Sequence, residues 1–175
     1  MWTLRQAGVT DLRIIYDFEN VPIRQEVLDS ELPPWPEFLK HQTKALEEGT
    51  EKYFFLEHSG IPQGFARLSH VSGLWYVTTW GRWLKTLIYC VGLAAFDYLK
   101  VPRLVWNIRE SNKRWIKVYE KYPFQFLGEN SVFVTLNKPP YIGVTKILYY
   151  GIEAETFYQN RELFIKYSLP LEVRW

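Results

Sequence analysis

Cysteine is almost missing from this sequence. The single thiol, Cys90, excludes an internal disulfide framework and suits a reducing compartment. Histidine is scarce too: His41, His58 and His70 stand too far apart to form a local metal-binding motif. Charge of one sign is also lacking. With 21 basic residues against 19 acidic ones the net charge is +2, which argues against nucleic acid or an anionic membrane surface as a partner. The longest apolar stretch, around Leu84–Ala95, is broken by Lys85 and Thr86 and is too short to span a bilayer. The first residues, MWTLRQAGVTD, lack the apolar core of a signal peptide. No internal repeat, low-complexity tract or second domain is evident. The default expectation is a soluble cytoplasmic protein.

What the sequence does have is apolar and aromatic mass. Hydrophobic residues make up 47% and aromatics 18% of 175 residues, enough for one domain with a substantial core. Trp2–Ala7 reads as a short strand, and Thr10-Asp11 offers a helix N-cap. Leu12, Ile15, Tyr16 and Glu19 follow at helical spacing, with Ile14 and Phe18 widening the stripe. Three prolines, Pro33, Pro34 and Pro36, mark a connection, and Glu37–Glu48 reads as a second helix stopped by Gly49. Lys52–Glu57 and Gln63–Val71 are strands joined by a hairpin turn at His58–Pro62. Gly73 precedes a third strand, Leu74–Thr79. Arg82–Lys100 is the strongest helix, with Leu84, Leu87, Ile88, Val91, Ala95 and Tyr98 on one face. Gly92 weakens that helix by ~1 kcal/mol, which points to a close packing contact.

Beyond Val101-Pro102 lies a buried strand, Arg103–Ile108. A helix capped by Ser111 or Asn112 follows, carrying Trp115, Val118, Tyr119 and Tyr122 on its inner side until Pro123. Gln125–Leu136 and Tyr141–Phe157 are read as strands, and Gln159–Trp175 has no clear period. The order β, α, α, β, β, β, α, β, α, β, β indicates a mixed α/β (α+β) domain with an antiparallel N-terminal portion.

That order, together with the wording of residues 96–128, resembles the GNAT superfamily of acyl-CoA-dependent N-acyltransferases. The resemblance rests on Ala95-Phe96-Asp97-Tyr98-Leu99 at the end of the central helix, the strand Arg103–Ile108, then Asn112, Tyr119-Glu120-Lys121, Phe124 and Gly128. Thr3–Asp11 and Gln63-Gly64-Phe65 also look like the family. Specific matches concentrate in about a quarter of the chain. In the family's glycine-rich pyrophosphate loop the corresponding residues are Thr79-Trp80-Gly81-Arg82-Trp83-Leu84. Arg82 and Leu84 occupy positions that are small in the family, and Pro123 stands where glycine is usual.

The resemblance implies a splayed mixed central sheet with helices on both faces, formed by residues 1–158. Residues 159–175 would be a tail packed on that domain or on a partner, and a homodimer is one arrangement open to it. Acetyl-CoA would enter the split in the sheet, with Val77, Thr79, Gly81, Arg82, Trp83 and Asn112 as its contacts. The acceptor would be a small-molecule or peptide amine, read by Ile23–Trp35 and by the turn at Asn137–Tyr141. Tyr119 would protonate the departing thiolate, since a phenol of reference pKa ~10 is neutral at physiological pH. The bare alternative is that it continues the core stripe of its helix.

His70, at the end of a strand, is the candidate general base. Cys90 reads as a core thiol. Arg109, Lys113, Arg114, Lys117 and Lys121, interrupted by Glu110 and Glu120, read as a solvated face. Trp75, Trp80 and Trp83 would either wall an apolar acceptor pocket or fill the space of the cofactor. Two functional readings therefore stand: an N-acyltransferase, and a non-catalytic GNAT-like binding or structural protein.

Overall fold

The apolar run in Glu51–His58 (β2) shows why the molecule has two cores. Tyr53, Phe54, Phe55 and Leu56 are all fully buried, which a strand achieves only when both faces of its sheet are covered. Phe54 and Leu56 point to one core, Tyr53 and Phe55 to the other. A computed structural model describes residues 1–21, 32–81, 84–137, 140–164 and 171–175. The expectations for most of Ile23–Trp35, for Arg82 and Trp83, and for Lys138-Pro139 fall outside the described residues.

Around β2 the chain runs as β1 (Trp2–Gln6), a 3-10 turn at Val9–Asp11, α1 (Leu12–Glu19), α2 (Trp35–Glu47), β2, β3 (Ile61–Val71) and β4 (Leu74–Gly81). It continues with α3 (Leu84–Gly92, prolonged as a π-helical stretch over Leu93–Tyr98), β5 (Arg103–Arg109), α4 (Lys113–Lys121), β6 (Gln125–Asn137) and β7 (Pro140–Glu153). The last elements are α5 (Ala154–Gln159), α6 (Arg161–Phe164) and β8 (Leu171–Arg174). The eight strands form one sheet in the order β6-β7-β5-β4-β3-β2-β1-β8. All neighbours are antiparallel except β4–β5 and β1–β8. α1 and α2 close one face over Leu12, Ile15 and Phe38, and α3 and α4 close the other over Leu87, Val91, Ile116 and Tyr119.

Tight turns set the register of the β2–β3–β4 meander. Ser59-Gly60 (φ 51° and 78°) and Ser72-Gly73 (φ 51° and 81°) both place two successive residues at positive φ, the geometry that matches the twist of a two-residue hairpin. α3 ends where Lys100 adopts φ 56°. Its glycine has the close contact that the sequence implied: a Cβ on Gly92 would lie 2.2 Å from the ring of Phe157.

Four details differ from the sequence reading. Tyr141–Phe157 is not one strand, because β7 ends at Glu153 and Ala154–Gln159 winds into α5; this turn carries Phe157 back onto Gly92. The tail has structure of its own, ending in β8, which pairs in parallel with β1 over Trp2↔Leu171 to Arg5↔Arg174. Pro36 sits in the first turn of α2, where its missing N–H costs nothing. Asp11 does not cap α1 through its side chain.

Asp11 instead accepts two hydrogen bonds from the Arg5 guanidinium, at 2.9 Å each, and one from the Gly8 N–H at 2.9 Å. Arg5 also reaches Glu57 at 2.8 Å. The bonds from Arg5 hold the Asp11 carboxyl below its ordinary value. With the folded pKa below the unfolded one, the stabilisation is complete at neutral pH and disappears as pH falls through the folded value. Asp11→Asn is expected to cost about 1–2 kcal/mol at pH 7. Urea denaturation at pH 7 and pH 3 checks this: the gap from wild type should shrink at the lower pH.

Candidate active site

The sheet opens between its two central strands. β4 and β5 pair at only three positions, Trp75↔Leu104, Tyr76↔Val105 and Val77↔Trp106. Beyond Val77, β4 stays bound to β3 as far as Gly81↔Gly64, and β5 stays bound to β7 as far as Arg109↔Ile147. Each strand follows its outer neighbour, so the inner edges of Thr78–Gly81 and Asn107–Arg109 separate. A cavity of about 440 Å³ fills the gap, a size typical of small-molecule sites.

Its walls come from four elements. β4 supplies Val77, Thr78, Thr79, Trp80 and Gly81, and β5 supplies Trp106, Asn107 and Ile108. Asn112, Arg114, Trp115 and Tyr119 come from α4 and its cap, and Phe18 and Val21 from α1 and the residues after it. Val77, Trp106 and Tyr119 belong to the core under α3 and α4, while Phe18 and Trp80 pack on the core under α1 and α2. The cavity therefore has a wall on each face of the sheet.

Tyr119 is 2% exposed. Its ring stacks on Trp115 at 5.5 Å and Tyr150 at 5.4 Å, and meets Phe124 edge-on at 4.7 Å. Burial pushes its hydroxyl well above the ordinary phenol value, so it stays protonated. That hydroxyl has no hydrogen-bond partner among the described residues, and the side chain borders the cavity. Asn112 begins α4 through its backbone: its carbonyl accepts from the N–H groups of Trp115 and Ile116 at 3.1 and 3.2 Å. Its side chain makes no capping bond and lines the cavity.

Gly81 is explained by the sheet itself. Its φ is +118°, and a Cβ there would sit 2.4 Å from Gly64 Cα. Only glycine lets β3 and β4 approach so closely at the mouth of the split. The remaining loop residues singled out from sequence, Arg82 and Trp83, lie outside the described residues.

His70 is not brought to the cavity. It is exposed, faces Trp75 across the β3–β4 ladder and stacks on that indole at 4.9 Å. Trp75 pairs with Leu104 at the closed end of the split, so the imidazole lies beyond the joined segment from the cavity. Trp75 is likewise a stacking partner of His70 and not a wall of the pocket. Trp80 borders the opening without filling it. Cys90 is fully buried, with its thiol pushed up to about 12 by burial, a core residue that does not line the cavity.

Sequence reasoning left out Phe18 and Val21, whose place beside β4 depends on packing between distant segments. Arg114 had been grouped with a solvated face; of that group only Arg114 reaches the cavity among the described residues. The available signal was its position two residues after Asn112, on the first turn of a helix that points into the split.

A mixed sheet parted between its central parallel strands is the arrangement of the GNAT fold. No family model matches the sequence, and no curated protein matches it. Among solved structures, the chain is similar to the spermidine N-acetyltransferase from Vibrio cholerae in complex with CoA and spermine. That likeness has a TM-score of 0.75 at 17% identity, over 90% of this chain and 98% of the other. It is also similar to the spermidine/spermine N-acetyltransferase from Vibrio cholerae in complex with manganese ions, with a TM-score of 0.71 at 18% identity, over 91% and 96% of the two chains. Among the described residues no helix is long and apolar enough to cross a membrane.

Proposed function

We propose that this protein is a GNAT-type N-acetyltransferase that moves an acetyl group from acetyl-CoA to a primary amine. The observation that carries the reading is the cavity between β4 and β5, bordered by a buried tyrosine with an unengaged hydroxyl. Trp80 borders the split without filling it, which counts against a non-catalytic protein plugged at that residue; Trp83, the other residue that would fill the cofactor's space, lies outside the described residues. The likeness to spermidine N-acetyltransferases supports the same choice.

The chain's groups divide the work as follows. The inner edge of β4 beyond Val77 offers backbone N–H and C=O groups to the amides of the pantetheine arm, as an edge strand does to an added strand. Asn112 contributes a side-chain amide to the same arm, and Arg114 supplies positive charge toward the anionic end of the cosubstrate. The neutral amine attacks the thioester carbonyl carbon. As the carbon–sulfur bond breaks, Tyr119 donates its proton to the departing thiolate, and the proton lost by the nitrogen restores the phenol through solvent.

Titration calorimetry with acetyl-CoA tests this. Saturable one-to-one binding in the micromolar range is expected. No heat of binding at high micromolar cosubstrate would remove the transferase reading.

A further inference from the structure

We infer that the acceptor carries its amine on an aromatic or apolar body and is not a polyamine; the inference rests on the transferase reading above. The donor side of the cavity is the face of α3 and α4, where Asn112, Arg114 and Tyr119 lie. The acceptor must reach the same reaction centre from the other mouth, under α1. There the described wall consists of Phe18, Val21, Thr78 and Trp80, three apolar side chains and one hydroxyl. Among the described lining residues the charged one is Arg114, a cation.

The carboxylates in the layer behind that wall, Glu19 and Glu51, act on a buried guanidinium. Arg67 stands directly across the ladder from Thr78. Burial opposes the charge of its guanidinium, yet the carboxylates of Glu19 and Glu51 outweigh that and keep it charged. Glu51 also accepts hydrogen bonds from Tyr53 and Ser69, at 2.9 and 3.2 Å. Aromatic faces can receive the one ammonium that reacts. Among the described lining residues no carboxylate meets the further charges of a polyamine, and desolvating each of them costs several kcal/mol. An aromatic ring in the same place buries apolar surface against Phe18 and Trp80 and gains from it.

The test measures acetyl-CoA binding by calorimetry, then CoA thiol release with phenethylamine, hexylamine and spermidine as acceptors. Phenethylamine should exceed spermidine at least tenfold in kcat/KM, with hexylamine between them. Trp80→Ala and, at the half-buried rim, Phe18→Ser should each lower the phenethylamine-to-spermidine ratio several-fold. Spermidine equal to or better than phenethylamine would overturn the inference and leave the transferase reading standing. So would binding of acetyl-CoA with no turnover of either apolar amine. Absence of acetyl-CoA binding overturns both. A ratio untouched in both variants, each folded by circular dichroism, would also sink the assignment to this wall.

Discussion

Tyr119→Phe is expected to lower kcat by about 10²-fold or more while leaving acetyl-CoA affinity within about twofold. The substitution removes one oxygen and keeps the ring. Its stacking on Trp115 and Tyr150 and its edge contact with Phe124 therefore survive, and so should the fold. The unengaged hydroxyl makes this a clean experiment. No hydrogen bond among the described residues is broken, and stability should stay close to that of wild type. A loss of turnover without a loss of stability would isolate the proton-donor role. Turnover equal to wild type, measured at saturating cosubstrate, would make Tyr119 a core aromatic and nothing more.

The second large effect concerns stability. Gly92→Ala places a methyl group 2.2 Å from two ring atoms of Phe157. That ring is 1% exposed. It is held by Phe96 at 5.2 Å, Phe164 at 5.7 Å and Tyr89 at 6.0 Å, so it has little room to withdraw. Alanine would gain ~1 kcal/mol of helix propensity, but overpacking of this kind costs about 1–3 kcal/mol, occasionally more. A net loss of up to about 2 kcal/mol is expected. Phe157→Ala alone should cost about 3–5 kcal/mol. The double variant is the informative one. With the ring gone, the alanine at position 92 should stabilise the protein relative to Phe157→Ala, reversing its sign. Denaturant melts of the four proteins form the cycle. A Gly92→Ala effect of equal size in both backgrounds would show that the ring contact is not what requires glycine.

Which features were readable from sequence follows from how local their causes are. The inner stripe of α4 was legible because Trp115, Val118, Tyr119 and Tyr122 repeat at helical spacing, and that spacing alone decides which side is buried. Gly92 was legible as a packing glycine, though its partner Phe157 was assigned to a strand. The chain turns to helix at Ala154 only because tertiary packing outweighs the weak local pattern there. His70 shows the opposite case. Its nearness to β4 in sequence was correct, but the register His70↔Trp75 places it at the closed end, and register across a hairpin is not written in the residue types. The same holds for Phe18 and Val21, which meet β4 only because α1 lies across the sheet. β8 has four residues, too few for a period, and owes its form to β1.

The parting of the sheet also bears on how the protein assembles. β2, β3 and β4 are joined by two-residue turns, so their pairings are nearly all local and are expected to form early. The parallel pairing of β4 with β5 must wait for the intervening helix to pack, and that of β8 with β1 spans almost the whole chain. Both carry the entropic penalty of closing long loops before any contact rewards them. The three-residue junction Trp75–Val77 with Leu104–Trp106 is thus a late seam, and the cleft exists only once that seam has closed. A growing chain would hold a finished antiparallel meander while the walls of its cavity were still apart.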